Sequence, residues 1–461
     1  MTRTSPQTNV VRVLVPVGML GGGFPADTVE HGIRMGANLI AVDGGSTDSG
    51  PHFLGTATAK TARAAVARDL SVVLPLAYTA GIPVVVGSCG TAGTDAGVDW
   101  IYDIVCEIAA SKKLLLNVAR IYSEQSAEAI VSCLFEGRIH PLAPAEALAP
   151  ETISKCSHIV GLMGHEPIAM ALAQGAEVVL AGRATDTAIV AALPLMRGLP
   201  PGPVWHASKI AECGGFCTDA PRDGGVLVSI DAGGFTVEPL SPSAACTPST
   251  VFAHMMYENA DPYRLREPDG TLDTSGASYE ALDTRRVRVT GSKFERAPYT
   301  IKLEGAAPVG YQTVIITGIR NPETLERLDE WCDGVLEHLN RRVPSTFGLG
   351  PHDYDMQILR YGHDAVLGSA EPDREMVPRE VGIVFTATAP TQALATELAK
   401  FANPVLLHAP LPGETAMPSY AFLGSPVEIE RGQIHEFVLN HVVEVDDPND
   451  LFQVTYSKVP E

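Results

Sequence analysis

Positive charge is scarce in this chain of 461 residues. Lys and Arg total 33 against 54 Asp and Glu, so the formal net charge is −21. Because such a balance repels phosphate backbones, we expect no nucleic-acid partner. The acidity is spread along the chain without long blocks, which is typical of a solvated surface and not of an acidic interaction tail.

Targeting and membrane-spanning segments are also lacking. Residues 1–9 are polar and no apolar run follows a basic segment there, so we expect no secretory signal. The longest apolar window, Leu70–Val86, is interrupted by Gly81 and Pro83 and falls short of the roughly 20 residues that span a bilayer. The sequence therefore predicts a soluble, cytoplasmic protein with no membrane partner.

Known cysteine and nucleotide signatures are missing as well. Eight cysteines in a chain of this length do not make a disulfide framework. An iron–sulfur cluster held by three of the residues Cys89, Cys213, Cys217 and Cys246 is disfavoured, because Cys213 and Cys217 lack the two-residue spacing usual for such sites. The glycine loops have neither the G-x-G-x-x-G nor the Walker spacing, so there is no nicotinamide fingerprint. The cofactor stays open, with a divalent metal as one candidate.

What the chain has instead is a series of short apolar strands that end at glycine-rich polar loops. Amphipathic helices fill the intervals, and this alternation predicts an α/β fold with a Rossmann-like, mostly parallel sheet. Ligands of such sheets bind outside the carboxyl ends of the strands, so these loops are the predicted active face. The strands that precede the loops are Val11–Val17, Asn38–Val42, Ile82–Val86, His158–Met163 and Glu177–Ala181.

The pattern of elements changes twice along the chain. A core at 10–200 is followed by an α+β elaboration at 201–347, and together they form the predicted domain 10–347. A smaller C-terminal α+β domain is predicted at 353–461, after a linker that is rich in Gly and Pro. Within that domain we expect a helix at Thr391–Phe401 and a strand at Val405–His408.

The first two loops offer different chemistry. Gly21, Gly22 and Gly23 precede a helix, and glycine backbone with a helix N-terminus suits a phosphate or carboxylate, although plain turn chemistry explains them equally. Asp43 and the segment Ser46-Thr47-Asp48 combine carboxylates with hydroxyls, which suits proton transfer, metal coordination or binding of substrate hydroxyls. The structural alternative is that Asp48 only forms a turn or helix cap.

Two further loops contain candidate nucleophiles and bases. Ser88, Cys89 and Thr91 lie in a Gly-rich segment that resembles an anion-binding nest, although Cys89 has no basic neighbour in sequence and is favoured as a packing residue. His165 is the most natural general acid or base, and Glu166 follows it. The alternative for Glu166 is stabilisation of a helix N-terminus.

The remaining candidates are charged. Arg183 at a strand end is a candidate for binding a substrate carboxylate or phosphate, and an internal pair with Asp186 is compatible with that role. Lys302 and Glu304 share one strand face by period two, and a solvated ion pair explains them as well. Lys209 and Glu212 on a predicted helix add further charge.

Taken together and in this order, several motifs resemble the acyclic terpene utilisation family, the AtuA-type proteins formerly grouped under a domain of unknown function. The similarity covers nearly the whole chain, and its motifs are specific collectively while each is weak alone. The loop at 87–93, with Cys89 and Thr91, departs from the family pattern, which indicates a substrate difference. The segments are Gly18–Pro25, Ala41–Asp48, Met163–Pro167, Ala181–Asp186, Lys209–Gly214, Cys246–Pro248, Asp261–Tyr263 and Tyr299–Gly305.

The resemblance implies metabolism of carboxylic acids or their acyl-CoA thioesters, in a pathway that degrades citronellol- and geraniol-type compounds. It also implies a small partner protein, and we expect a homo-oligomer and a small anionic metabolite as ligand. Our leading hypothesis is a lyase (hydratase or dehydratase) or an isomerase, with His165, Asp43 or Asp48 as acid and base. A hydrolase of a related ester, thioester or amide is the alternative enzyme. The third alternative is a non-catalytic ligand-binding subunit of a partner enzyme.

Overall fold

The computed structural model describes residues 10–415 and 420–460. Residues 1–9, on which the expectation of no secretory signal rests, lie outside this range. The chain folds into two compact units. The described residues of the first unit are 10–307 and 437–460, and those of the second lie between 308 and 436. The domain bounds expected from the sequence stay a prediction.

The strands and helices of the first unit alternate over its first 200 residues. Its strands are β1 Val11–Val15, β2 Leu39–Asp43, β3 Val84–Gly87, β4 Leu116–Tyr122, β5 Ile139–Pro141, β6 His158–Leu162, β7 Val178–Ala181, β8 Val226–Asp231, β9 Gly234–Pro239, β10 Arg264–Glu267, β11 Gly270–Asp273, β12 Ser278–Ala281, β13 Val287–Thr290 and β14 Lys293–Arg296. Its helices are α1 Ala26–Arg34, α2 Pro51–Thr56, α3 Arg63–Ala80, α4 Asp95–Lys112, α5 Ala127–Phe135, α6 Pro150–Ser154, α7 Glu166–Ala173, α8 Ala188–Met196, α9 Pro201–Ala211 and α10 Pro248–His254.

Two long strands have residues in both units. They are β15, Thr300–Ile319, and β19, Glu428–Glu444. The remaining elements of the second unit are helices α11 Pro322–Glu326, α12 Leu328–Phe347 and α13 Gln392–His408, and strands β16 Asp355–Tyr361, β17 Val381–Ala389 and β18 Tyr420–Phe422. The last strand, β20 Gln453–Val459, returns to the first unit.

The first unit is built on a ten-stranded sheet with the order β12-β13-β9-β8-β1-β2-β3-β7-β4-β20. The pairs β1/β2, β2/β3, β3/β7 and β7/β4 are parallel, and strands on both sides of them pair antiparallel. The mixed α/β class is therefore confirmed, with a sheet that is partly parallel. No described helix combines the length and the apolar character needed to cross a bilayer.

Both faces of the parallel strands are buried. In β2, Leu39 and Ala41 belong to one apolar core, and Ile40 and Val42 belong to the core on the opposite face. This alternation is the period of two that a strand imposes on its side chains. Helices α3 and α4 cover the face of Ile40, and α7, α8 and α9 cover the other. The sheet is thus held between two helical layers, which is why its strands are continuously apolar.

Two expectations from the sequence need correction. The strand expected at Val405–His408 is the last turn of α13, because an apolar run of four residues fits a helix face as well as a strand. Strand β6 does not extend the parallel sheet as the alternation predicted. It pairs antiparallel with β15, with Lys302 opposite Leu162, and this partner comes from a distant part of the sequence.

Candidate functional site

A polar cavity of about 240 Å³ opens in the first unit where β1 and β2 end. It receives residues from the loops after β1, β2 and β7, from the end of α9 and from the segment after α10. Five of its lining residues are carboxylic acids and one is a lysine. The lining residues are Gly18, Met19, Asp43, Gly45, Ser46, Asp48, Ser49, Lys60, Asp186, Glu212, Cys213, Tyr257 and Glu258.

Another cavity of the same unit, of about 300 Å³, lies at the amino ends of the parallel strands. Its walls include Leu74, Ile82, Val84 and Leu116, and they present few groups for acid–base chemistry. Active sites of open parallel sheets lie at the carboxyl ends of the strands. The acidic cavity is therefore the candidate site, although it is the smaller of the two.

Asp43 is the last residue of β2, and its side chain is buried in the wall of this cavity. The backbone N–H of Gly45 donates a hydrogen bond to its Oδ2 at 3.1 Å, whereas Oδ1 has no hydrogen-bond partner among the described residues. Burial, and then the charge of Asp186, raise the pKa of the Asp43 carboxyl well above its ordinary value. Asp43 thus has a free oxygen and a tendency to hold a proton, which are the properties of a general acid.

Asp186 is the second carboxylate that the cavity brings close to Asp43. Burial raises its pKa, and the nearby Arg183 guanidinium offsets part of the effect. Asp48 also lines the cavity but is exposed, and its Oδ2 accepts a hydrogen bond from Ser46 Oγ at 2.7 Å. The Ser46 hydroxyl in turn accepts from the Asp48 N–H, so these two residues form the cap of a short turn. Asp43 and Asp186 are consequently the better acid–base pair.

Arg183 is occupied by internal partners. Its Nε donates to Glu304 Oε2 at 3.0 Å, and its other nitrogens donate to Thr47 Oγ1, Ser88 Oγ and the Ala184 carbonyl at 3.1 to 3.3 Å. Nη1 of Arg183 lies 3.8 Å from Oδ1 of Asp186. Arg183 therefore acts first as a buried connector of three loops and β15, and only then as a source of positive potential for the cavity.

Lys302 and Glu304 lie on one face of β15, as the period of two predicted. The Lys302 ammonium donates to Glu304 Oε1 at 3.0 Å, so Glu304 is shared between Lys302 and Arg183. Burial alone raises the pKa of Glu304, but these two cations outweigh it and hold the pKa at about 2. Glu304 is thus a permanent carboxylate that neutralises buried positive charge.

The loop after β3 is packed and not open to the cavity. Ser88 donates to the Ala184 carbonyl, Cys89 Sγ lies 3.7 Å from the Val86 carbonyl, and Thr91 Oγ1 accepts from the Lys60 N–H at 2.8 Å. Burial raises the pKa of the Cys89 thiol far above its ordinary value. These contacts favour a structural role for Cys89, which agrees with the alternative favoured from sequence.

The glycine loop after β1 binds a carboxylate that the chain itself supplies. The backbone N–H groups of Gly21 and Gly23 donate to Asp69 Oδ2 at 2.8 and 3.1 Å, and the N–H of Gly22 donates to the Met19 carbonyl. The side chain of Asp69 is buried beneath the loop. The anion cradle suggested by the sequence therefore exists, and in this structure an internal aspartate fills it.

His165 and Glu166 lie in a separate cluster at the start of α7, and neither is one of the described residues that line the acidic cavity. The hydroxyl of Tyr299 donates to Glu166 Oε2 at 2.6 Å, and the ring of His165 contacts Trp205 edge to face. Burial lowers the pKa of His165 to about 4, so its imidazole is neutral near pH 7. The structure does not join this pair to Asp43.

The end of α9 adds residues that the sequence had suggested only as extra charge. Lys209 Nζ lies 2.5 Å from Glu212 Oε1, and both side chains are buried. Burial, with Asp186 adding to it, raises the pKa of Glu212 to about 8, since Lys209 offsets only part of the effect. Glu212, Cys213 and His254 place one possible metal-ligand atom each within 4.8 Å of one another.

Several cavity residues were missed by sequence reasoning. Lys60, Tyr257 and Glu258 come from loops without a motif. His254, which ends α10 and lies near Glu212 and Cys213 but is not one of the lining residues, was missed as well. A usable signal existed only for Glu212 and Cys213, which fall within the family-like segment Lys209–Gly214.

Comparison with known proteins gives one match. The sequence model described as acyclic terpene utilisation family protein AtuA matches residues 59–435, which is well over half of the chain. Neither the curated proteins nor the solved structures contain a match to the chain.

Proposed function

Since this chain belongs to the acyclic terpene utilisation family, we propose that it is an enzyme of acyclic terpene metabolism that moves protons at a carbon next to a thioester or carboxyl carbonyl. The proposed reaction class is a lyase that adds or removes water, or an isomerase. Family membership suggests the metabolic role, and the carboxyl groups of the buried Asp43 and the half-buried Asp186 support the chemistry.

The two carboxylates provide an acid and a base in one cavity. When two buried carboxyl groups interact, one retains its proton to a higher pH while the other ionises. The ionised member can remove a proton from the carbon next to the carbonyl, and the protonated member can donate one to a leaving hydroxyl or to a neighbouring carbon. Oδ1 of Asp43 is buried and has no hydrogen-bond partner among the residues described, so it is free to carry the proton that the pair retains.

The charge of the cavity favours a thioester over a free acid at the reacting end. Five acidic residues and Lys60 line the cavity, so a bare substrate carboxylate would meet like charge at short range. A thioester carbonyl is neutral and avoids this repulsion. A volume of about 240 Å³ also suits a small acyl end, with the charged part of an acyl-CoA outside it.

Hydrolysis through a cysteine nucleophile has less support. Cys89 is fully buried, and its raised thiol pKa disfavours the thiolate that attack requires. A carboxylate-driven proton transfer needs no such group.

The test is hydrogen exchange in heavy water. Purified protein is incubated with unsaturated and hydroxylated acyl-CoA thioesters and with the free acids, and deuterium uptake next to the carbonyl is followed by mass spectrometry. We expect uptake with thioesters, and a loss of about 10²- to 10⁴-fold in the Asp43→Asn variant because its acid–base group is removed. Asp103→Asn, an exposed change on α4, is the matched control.

Two results would contradict the proposal. The first is undiminished exchange in a folded Asp43→Asn protein. The second is saturable binding of thioesters without exchange or turnover in the wild type, which would instead support a non-catalytic binding subunit.

A further inference from the structure

Three side chains of different chemistry come together where Glu212 and Cys213 line the acidic cavity and the buried His254 lies beside them. They are the carboxylate of Glu212, the thiol of Cys213 and the imidazole of His254, and their candidate ligand atoms lie within 4.8 Å of one another. We propose that these residues bind a divalent transition metal ion of the Zn²⁺ class, which forms part of the same site as Asp43.

The donor set fits such an ion. Zn²⁺ accepts oxygen, nitrogen and sulfur ligands, and catalytic zinc sites combine three protein ligands with one open position. A thiolate ligand disfavours Mg²⁺ and Ca²⁺, which prefer oxygen. Glu212 and Cys213 line the cavity, so a fourth position on the ion would face the space available to substrate.

His254 supplies an independent observation. Its side chain is 4% exposed, and Nε2 has no hydrogen-bond partner within the described part of the chain. An unpaired buried nitrogen costs free energy, which a metal bond would recover. An imidazole nitrogen is also among the commonest ligands of Zn²⁺.

The charge balance of the wall also favours a cation. Lys209 engages only Oε1 of Glu212, which leaves the other carboxylate oxygen for an ion. Asp186 and Glu258 line the same cavity and add negative potential to the wall that contains Glu212 and Cys213. Binding of the ion replaces the S–H bond of Cys213 by a sulfur–metal bond, and the proton passes to the solvent.

The backbone holds Cys213 in place. The carbonyl oxygen of Cys213 lies 2.8 Å from the position that a Cβ on Gly18 would take, and Gly214 packs against the same segment in a left-handed conformation. Two glycines thus allow the backbone at Cys213 to lie directly against the loop after β1.

The test measures metal binding without substrate. Chelator-treated protein is titrated with Co²⁺, and the near-ultraviolet band of a thiolate–cobalt bond is recorded, while Zn²⁺ affinity is measured by calorimetry. We expect the band in the wild type, its loss in Cys213→Ser, and a fall in Zn²⁺ affinity in His254→Gln beyond the roughly 10- to 100-fold effect of changing an outer-shell residue. Cys156→Ser, a half-buried cysteine of the same unit, should leave both unchanged.

A wild-type protein without the band, or a Cys213→Ser protein that keeps full Zn²⁺ affinity, would overturn the metal site. Circular dichroism checks that each variant folds, and His254→Gln provides the second variant if Cys213→Ser does not. The role of the ion in turnover rests on the proposed function, but its binding does not. Metal binding without deuterium exchange would contradict only the proposed function. Deuterium exchange that persists fully after chelation, in a protein that shows no cobalt band, would contradict only the metal site.

Discussion

Nε of Arg183 donates a 3.0 Å hydrogen bond to Oε2 of Glu304, and each side chain is only 6% exposed. Arg183 follows β7 and Glu304 lies in β15, so the pair joins two separate parts of the first unit. Thr47 completes the link, because its hydroxyl donates to Glu304 Oε2 and accepts from Arg183. The positions of the loops after β2 and β7, which both contribute residues to the cavity, thus depend on one buried ion pair.

Replacement of Arg183 tests this dependence. Arg183→Ala leaves Glu304 buried without its main partner, so we expect the free energy of unfolding to fall by about 3–5 kcal/mol, the usual cost of breaking a buried pair. Urea titration provides the measurement. Sequence alone had suggested Arg183 as a residue that binds a substrate carboxylate or phosphate, and the observed contacts add a role in stability.

The control for Arg183 is Arg34→Ala, in an exposed pair with Glu30, where the change should stay below about 1 kcal/mol. The double variant Arg183→Ala, Glu304→Gln should recover part of the lost stability because it removes the uncompensated charge. Equal losses in Arg183→Ala and Arg34→Ala would show that the buried pair contributes no more than a surface pair.

The pKa of Glu304 predicts acid sensitivity. Its folded value of about 2 lies below the ordinary 4.5 of a glutamate, so ionised Glu304 stabilises the fold above about pH 4.5. This stability is lost as the pH falls through the folded value. Glu304→Gln should therefore flatten the decline of the unfolding free energy between about pH 5 and pH 2, and an identical decline in wild type and variant would rule out this contribution. Glu107→Gln, an exposed change, should follow the wild type.

Close backbone contact predicts that Gly45 tolerates no side chain. A Cβ at Gly45 would lie 2.5 Å from Thr91 Cα, and its φ of +141° is unfavourable for other residues. Gly50 has a φ of +98° but no heavy atom within 4 Å of its Cβ position among the residues described. Gly50→Ala should cost about 1–3 kcal/mol from backbone strain alone. Gly45→Ala should cost clearly more in thermal unfolding, and equal costs would show that the loop after β3 moves freely.

The thiol of Cys89 should not react with alkylating reagents in the folded protein. Its thiol is fully buried and its pKa is raised by burial, so little thiolate is present near pH 7. We expect iodoacetamide to label Cys89 only after denaturation, as read by peptide mass spectrometry. The Cys89→Ala variant should retain deuterium exchange. Rapid labelling of Cys89 in the native protein, together with loss of exchange in Cys89→Ala, would instead support Cys89 as a nucleophile.

Local sequence patterns predicted the elements of the first unit well. Strands were expected near β1, β2, β3 and β7 and the helices between them, because each pattern depends on residues close in sequence. The polar residue at the end of β2, Asp43, was identified as a candidate for the same reason. Glycine after a strand marks a turn without any knowledge of the rest of the chain.

Pairings between residues that are distant in sequence could not be predicted from local patterns. The antiparallel partner of β6 lies about 140 residues away in β15, and no local pattern distinguishes it from a further parallel neighbour. Arg183 and Glu304 are 121 residues apart in the sequence, so their contact could not be predicted from local patterns either. His254 reaches Glu212 only because α10 packs near the end of α9, a contact that depends on tertiary structure and not on spacing.

The cavity wall contains positions where backbone packs against backbone and positions where side chains face the cavity. Gly18 beside the Cys213 carbonyl is a position of the first kind. Backbone that touches backbone leaves no room for variation, whereas Met19 and Tyr257 line the same space with side chains that can change size. Under the proposed function, family members that act on acyl chains of other lengths should therefore differ at those two positions and keep glycine at 18. Engineering of substrate range in this chain should begin there.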